Sequence, residues 1–454
     1  MTGLQPTALQ RYRGWLVAAV VVMLCGGITL VRAPTHAGGQ QPNSPAVAPA
    51  GRHQPAPEAE AAARPRLALV TALLRRRATA LSDRDRAAFM ATVDPHAAPA
   101  FLAAQRRMFD NLAQVRFSTL SYQVSPVETV DTTLLRGMRG SAAQLWAPRV
   151  KLRYGLAGVD SSPTTKTMGY LFARRAGSWY LESDTALDRF GVHTWRGPWD
   201  FGPCVVTRVR SGLVLAHPGS ETVAKRAASE IDSAVRAITA VWGNGWPQRV
   251  AVLVPASSAE MRALVGSQFA VDSIAAVAVA DAVNTTAHTA LGQRVVLNPD
   301  GAMKLSQDAL RVILRHEITH IATRADTVDG APMWMLEGFA DYVGYHDSGM
   351  SLVRAAPELA AEVRSSGPPA GLPTDDRFDA GAQDLDLAYQ QAWSMNVYLA
   401  VRFGQQRLVT LYHEVAGAGH LTAGQLATTL TEVTGRSYRQ LIAGWQAFLR
   451  TRFG

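Results

Sequence analysis

Two histidines with a glutamate between them, His316-Glu317-Ile318-Thr319-His320, stand in the run LRHEITHIAT (314–323). Residues four apart lie on one face of an α-helix, so His316 and His320 can turn two imidazoles toward one ion. Glu317 falls beside them, where its carboxylate reaches a water at that ion as a base and not as a ligand. A catalytic zinc site takes three protein ligands and keeps one position open. The stretch MWMLEGFADYVGYH (333–346) offers the third ligand in Glu337, 17 positions after His320, which leaves room for a turn and a second helix. Asp341, four residues after Glu337 and so on the same helical face, is placed to hydrogen-bond the other nitrogen of a ligand imidazole and fix its tautomer. An H-E-x-x-H by itself also describes two core histidines on an ordinary helix. The second acidic motif is what favours a metal.

HEITH followed by WMLEGFADY resembles the gluzincin metallopeptidases, whose pattern is H-E-x-x-H and then a glutamate on a second helix, often within W-x-x-E-G-x-A-x-Y. The match runs through His316, Glu317, His320, Trp334, Glu337, Gly338, Ala340 and Tyr342, and in flavour it is similar to the peptidase MA-like set. The resemblance covers roughly 205–454. It implies a zincin-like domain with a helical C-terminal subdomain, Zn2+ held by His316, His320 and Glu337, and Glu317 as catalytic base. It also implies a donor to the oxyanion from a later helix: Tyr389, near the start of LAYQQAWSMNVYLAVRFG (387–404), with His346 as the alternative. It further implies a cleft-edge strand that an extended peptide could join, read here as QRVVLNP (293–299). Metzincins instead need a glycine where this chain has Thr323, so Asp326 reads as an exposed loop residue. The acidic run GLPTDDRFDAGAQDLD (371–386) reads either as a cleft rim or as a solvated loop.

The elements that must carry these residues follow from periodicity. ETVAKRAASEIDSAVRAITAVWG has Val223, Ala227, Ile231, Val235, Ile238 and Val241 on one helical face. RVAVLVP reads as a strand buried on both sides, and AVAVADAV and RVVLNP as two more before the motif helix at 306–325. The segment 65–200 reads as a separate α+β part. Helices over 66–81, 83–93 and 99–115 come first, then alternating strands FSTLSYQV, RVKLRYGL, TMGYLFARR and SWYLESD, with a hairpin at Ala176-Gly177-Ser178. That order resembles NTF2-like or cystatin-like domains, in which helices lie on a curved sheet. WRGPWDFGP (195–203) marks the boundary.

Ahead of both lies GWLVAAVVVMLCGGITLV (14–31), an uncharged stretch long enough to span a bilayer. Arg11 and Arg13 precede it, so residues 1–32 read as a cytoplasmic stub and membrane anchor that leaves the rest outside the cytoplasm. Cleavage after Thr35-His36-Ala37, or lipidation of Cys25, would give a secreted or lipid-anchored protein with the same exposure. Residues 33–64, rich in Pro, Ala and Gly, read as a disordered spacer. The net charge of +9 is spread along the chain without basic runs interleaved with aromatics, which argues against nucleic-acid binding. Two cysteines, Cys25 and Cys204, exclude a disulfide framework. The expectation is a membrane-anchored, extracytoplasmic zinc peptidase acting on peptide or protein substrates. The alternative is a binding or regulatory protein on the same scaffold, with the N-terminal part as the binding module.

Overall fold

The computed structural model describes residues 57–454 apart from 139–141, 143, 267–270, 272–273 and 380. The proposed anchor at 14–31 and most of the 33–64 spacer lie outside the described residues. Within that spacer the first helix has already begun at Pro57. Among the described residues no helix is long and apolar enough to cross a membrane.

Three helices, α1 (Pro57–Ser82), α2 (Arg86–Met90) and α3 (Pro99–Asn111), open the described chain. Asp85 caps α2 by accepting the Ala88 N–H. Six strands follow: β1 (Phe117–Glu128), β2 (Gln144–Trp146), β3 (Pro148–Leu156), β4 (Thr164–Met168), β5 (Leu171–Arg175) and β6 (Ser178–Ser183). They form two three-stranded sheets, β1-β3-β4 and β2-β5-β6, and not the single curved sheet that the NTF2-like resemblance implies. The break falls inside TMGYLFARR, at Gly169. Its N–H donates to Thr194 Oγ1 and the Trp195 N–H donates to the Thr167 carbonyl, so the returning segment takes the ladder's place. A Cβ at Gly169 would stand 2.5 Å from the Val192 carbonyl oxygen, so only glycine admits this approach. The β5–β6 hairpin turns through Ala176 and Gly177, both with positive φ (46° and 85°), as a primed two-residue turn requires.

The second part begins with the antiparallel pair β7 (Val205–Val209) and β8 (Gly212–Ala216). Next come α4 (Glu221–Trp242), β9 (Val250–Val254), α5 (Ser258–Val265), β10 (Ala276–Val279), the small pair β11 (Ala282–Asn284) and β12 (Thr289–Leu291), and β13 (Arg294–Leu297). The helices α6 (Pro299–Lys304), α7 (Gln307–Thr323), α8 (Met333–Tyr345), α9 (Leu352–Ala355), α10 (Pro357–Ser365), α11 (Leu385–Phe403), α12 (Gln405–Ala418), α13 (Ala423–Thr434) and α14 (Tyr438–Phe453) complete the chain. The sheet runs β10-β13-β9-β8-β7, with β8, β9 and β13 parallel and both outer strands antiparallel. The edge strand beside β13 is therefore β10, and β7 forms the opposite edge. The expectation that 293–299 forms the edge is corrected: β13 pairs on both sides, because the β11–β12 hairpin loops out and returns the chain inside β10.

This sheet is apolar on both faces, which is why RVAVLVP lacks alternation. Val250, Val252 and Val254 face a core shared with α4, α7, α8 and α11. Ala251 and Leu253 face the other way, into a core with Val70, Phe89, Trp146, Phe172 and Trp199 of the N-terminal part. The two parts thus share one hydrophobic core beneath the sheet. The Pro/Gly-rich stretch at 195–203 is a connection within it, and Trp199 is buried there.

Candidate metal centre

Helix α7 starts where Ser306 accepts the Ala309 N–H, and it lies with one face on α4, where Arg311 Nε meets Glu230 Oε2 at 2.9 Å. Its opposite face carries His316 and His320, with Glu317 beside them, all buried. Helix α8 packs across it. Gly344 sits against the Val312 carbonyl, where an added Cβ would come within 3.1 Å. Gly338 lies still closer to α11: a Cβ there would stand 2.5 Å from the Ala392 carbonyl oxygen. These two contacts set the depth of α8 and with it the position of Glu337. Pro332 gives α8 no side-chain cap, and Asp375 from the 371–386 run supplies one by accepting the Met333 N–H at 2.8 Å. The acidic run therefore braces the helix that carries Glu337. At the other end, Arg315 Nη1 donates to the His346 carbonyl.

This packing brings His316, His320 and Glu337 together, with one potential ligand atom from each within 4.8 Å of the others. His316 Nδ1 lies 2.7 Å from Asp341 Oδ1. An ionised carboxylate only accepts, so this nitrogen carries the proton and Nε2 presents its lone pair. That lone pair is 3.0 Å from His320 Nε2 and 3.2 Å from Glu337 Oε2. Three electron-rich atoms so placed need a proton or a cation among them. Both oxygens of Glu317 are buried without a hydrogen-bond partner, and those of Glu337 face only the two imidazoles and the Tyr389 phenol. Buried carboxylates left this way are costly unless a cation compensates them. Two imidazole nitrogens and one carboxylate form the donor set of catalytic zinc, so the residues fit that ion.

The electrostatics separate the two glutamates. Burial works to raise the Glu337 carboxyl, but the His320 and His316 imidazoles outweigh it and hold it at about 2. Burial pushes Glu317 up to about 7, against a smaller pull from His316. One carboxylate stays ionised as a ligand must, and the other is poised to exchange a proton near neutrality. Burial pulls His316 down, yet the Asp341 and Glu337 carboxylates carry it well above the usual imidazole range.

Of the two oxyanion-donor candidates, Tyr389 is in the cluster and His346 is not. Burial first, then the charges of Glu337, Asp341 and Glu317, push the Tyr389 phenol far up, and its ring packs on Phe378 at 5.2 Å. His346 stands nine residues past Glu337, at the far end of α8, and pairs with Asp347 at 3.0 Å. At a rise of ~1.5 Å per residue it is more than two turns away from the ligand.

Sequence reasoning missed two neighbours. Arg324 was legible only as a charge flanking the motif helix, but it is buried and its Nη2 donates to the Ala278 carbonyl of β10 at 2.8 Å. Its spacing after His316 and His320, four and four, was the available signal. Asp326 is half-buried and not an exposed loop residue. Its Oδ1 lies 2.7 Å from Nδ1 of His288, at the tip of the β11–β12 hairpin.

No protein-family model matches the chain, and no curated protein matches it. Among solved structures, a point mutant of an M1 zinc metallopeptidase from Deinococcus radiodurans is similar at 16% identity with a TM-score of 0.34, covering 61% of this chain and 58% of that one. The chain thus spans less than two thirds of that structure's length, and a likeness of this degree carries no argument about fold or function here.

Proposed function

We propose that the chain is a zinc-dependent peptidase of gluzincin type, anchored in a membrane by its N-terminal segment with the catalytic part outside the cytoplasm. The observation that supports it most is the convergence of His316, His320 and Glu337 with an unpaired, buried Glu317 beside them. His316, His320 and Glu337 would hold a zinc ion, which would supply Lewis-acid chemistry for polarising the scissile carbonyl and acidifying the attacking water. Glu317 accepts the proton as the water oxygen bonds to the carbonyl carbon. It then delivers that proton to the amide nitrogen as the C–N bond breaks, giving an amine and a carboxylic acid whose remaining proton passes to the amine or to water. Asp341 holds His316 in the tautomer that leaves Nε2 free for the ion. Tyr389 donates to the developing oxyanion.

The membrane placement rests on the uncharged stretch 14–31 behind Arg11 and Arg13. Protease added to intact, wall-stripped cells should release a fragment that begins within 33–64. Protection of the catalytic part until lysis would reverse the orientation.

The burial of the site supports a second reading, a binding or regulatory protein of little turnover: His316, Glu317, His320, Glu337 and Asp341 are each at most 7% exposed. Metal content and cleavage of a broad peptide library, both measured on the full chain, decide between them. Stoichiometric zinc with cleavage that Glu317→Gln abolishes supports the peptidase. Zinc without cleavage, together with capture of a partner by the N-terminal part, supports the second reading. Absence of zinc after chelator-free purification, with His316→Ala unchanged in stability, would sink both.

A further inference from the structure

The metal cluster is closed in: none of its residues is more than 7% exposed, and Tyr389 beside it is 2% exposed. A peptide reaches such a site only if something moves. Helices α7, α8 and α11 and strand β10 are held by main-chain hydrogen bonds and by a shared core. The segment Gly367–Asp379, between α10 and α11, has only one short turn of its own, Asp375–Phe378. It lies across both site helices. Asp375 accepts the Met333 N–H at the start of α8, at 2.8 Å. Arg377 Nη1 donates to Gln391 Oε1 of α11, also at 2.8 Å. The Phe378 ring packs on Tyr389, 5.2 Å between centroids, and the Tyr389 phenol meets Glu337. Phe378 is thus one side chain removed from a metal ligand.

The segment is built to come away as a piece. Thr374, Asp375, Asp376 and Asp379 are exposed, and Phe378, 2% exposed, is its one large buried side chain. Pro368, Pro369 and Pro373 fix φ and keep it stiff. Glycines with positive φ flank it, Gly367 (89°) and Gly381 (93°), and around both a Cβ would meet open space. A few residues of this kind at the ends of a segment absorb the rotation of a hinge. An element held by one ring and a few polar ties opens at a lower free energy than the helices beneath it.

We propose that Gly367–Asp379 is a lid over the metal centre. It swings off α8 and α11 as one stiff strap, lifts Phe378 from Tyr389 and opens the cluster to solvent and substrate. This rests on the metal-centre reading for what the lid covers, and not on turnover. Closed, the strap also completes the site, because Asp375 caps the helix that carries Glu337.

The test reads the strap and the metal, since Phe378 also supports Tyr389 and cleavage would mix the two effects. The Arg377 and Asp379 amides are bonded within the strap's turn, and Asp375 holds the Met333 amide. By hydrogen exchange on the full chain these three should open together, ahead of the interior amides of α7, α8 and α11. In the zinc-loaded full chain, Phe378→Ala should speed removal of zinc by excess EDTA about 10-fold or more, because the lost burial falls on the closed state alone. Phe453→Ala takes an equally buried ring from α14. It should lower stability in denaturant and leave the rate of zinc removal as it is. If Phe378→Ala does not fold, Arg377→Gln loosens the tie to Gln391 and should speed zinc removal about 2–10-fold. Zinc that is gated in this way, in a protein that cleaves nothing, would sink the peptidase reading and keep the lid. A chain that takes up no zinc sinks the metal centre, and hydrogen exchange then decides the lid alone. Exchange of the three amides only together with the helix interiors overturns the proposal, as does zinc removal equally fast from the Phe378 and Phe453 variants.

Discussion

Two buried charged clusters lie on opposite sides of the five-stranded sheet. Beneath it, Arg294 of β13 meets Asp160 of the N-terminal part with two parallel bonds of 2.7 Å. Asp160 also accepts the Leu156 N–H, and Arg294 also donates to the Gln293 carbonyl. Nearby, Asp281 is paired with Lys166 and with Thr164 Oγ1. Above the sheet, Glu317 and Glu337 are as deeply buried as Arg294, yet Glu317 has no hydrogen-bond partner and Glu337 faces only the two imidazoles and the Tyr389 phenol. The first cluster is saturated by the chain's own groups and has nothing left to offer a ligand. The second has donors and acceptors to spare. Satisfaction, more than burial or charge, separates a structural ion pair from a site.

Perturbing each cluster should break this contrast in a different observable. Glu317→Gln should lower peptide cleavage by about 10²–10⁴-fold, the range for a general base, while zinc content is kept. In the unmodified protein, kcat/KM should fall with decreasing pH below about 7, because only the ionised Glu317 accepts a proton. A profile flat down to pH 5 would remove Glu317 as the base. Asp160→Ala should act on stability instead. It leaves Arg294 buried and unpaired, at about 3–5 kcal/mol in denaturant unfolding, with metal content unchanged. If zinc is lost alongside, the two clusters are not independent. Asp341→Ala should cost about 10–100-fold in zinc affinity or activity while the fold stays intact. Equal zinc retention and activity would take Asp341 out of the site. The smallest effect belongs to the His288–Asp326 pair, whose imidazole is mostly exposed. His288→Ala should change stability by less than ~1 kcal/mol. A larger loss would mean that the hairpin tip is held more tightly than an exposed pair can account for.

The ligand positions were legible because they depend on short-range geometry. Four-residue spacing fixes a helical face whatever the tertiary fold, and this places His316 with His320 and Glu337 with Asp341. Tyr389 was reached through a resemblance, since nothing local ties α11 to α7. Arg324 went unassigned because burial of a helix cap depends on what packs over it, here the edge strand. The edge strand itself was misassigned for a related reason. The run 276–297 contains two good strands, and only the pairing decides which is inside. In the N-terminal part the order of helices and then strands was visible. The three-residue β2 was not, nor was the break at Gly169, which is made by a segment more than twenty residues downstream.

The core shared beneath the sheet also determines how the molecule responds to being cut. Leu213, Leu215, Ala251, Leu253, Val277 and Val296 on one side of the 195–203 connection bury against Val70, Phe89, Trp146 and Phe172 on the other. A nick in that connection severs one peptide bond and none of those contacts. The two pieces should stay bound as a noncovalent pair, the way a split protein reassembles, and neither half should be shed as a free unit. Such a chain can be cut at its middle without coming apart there.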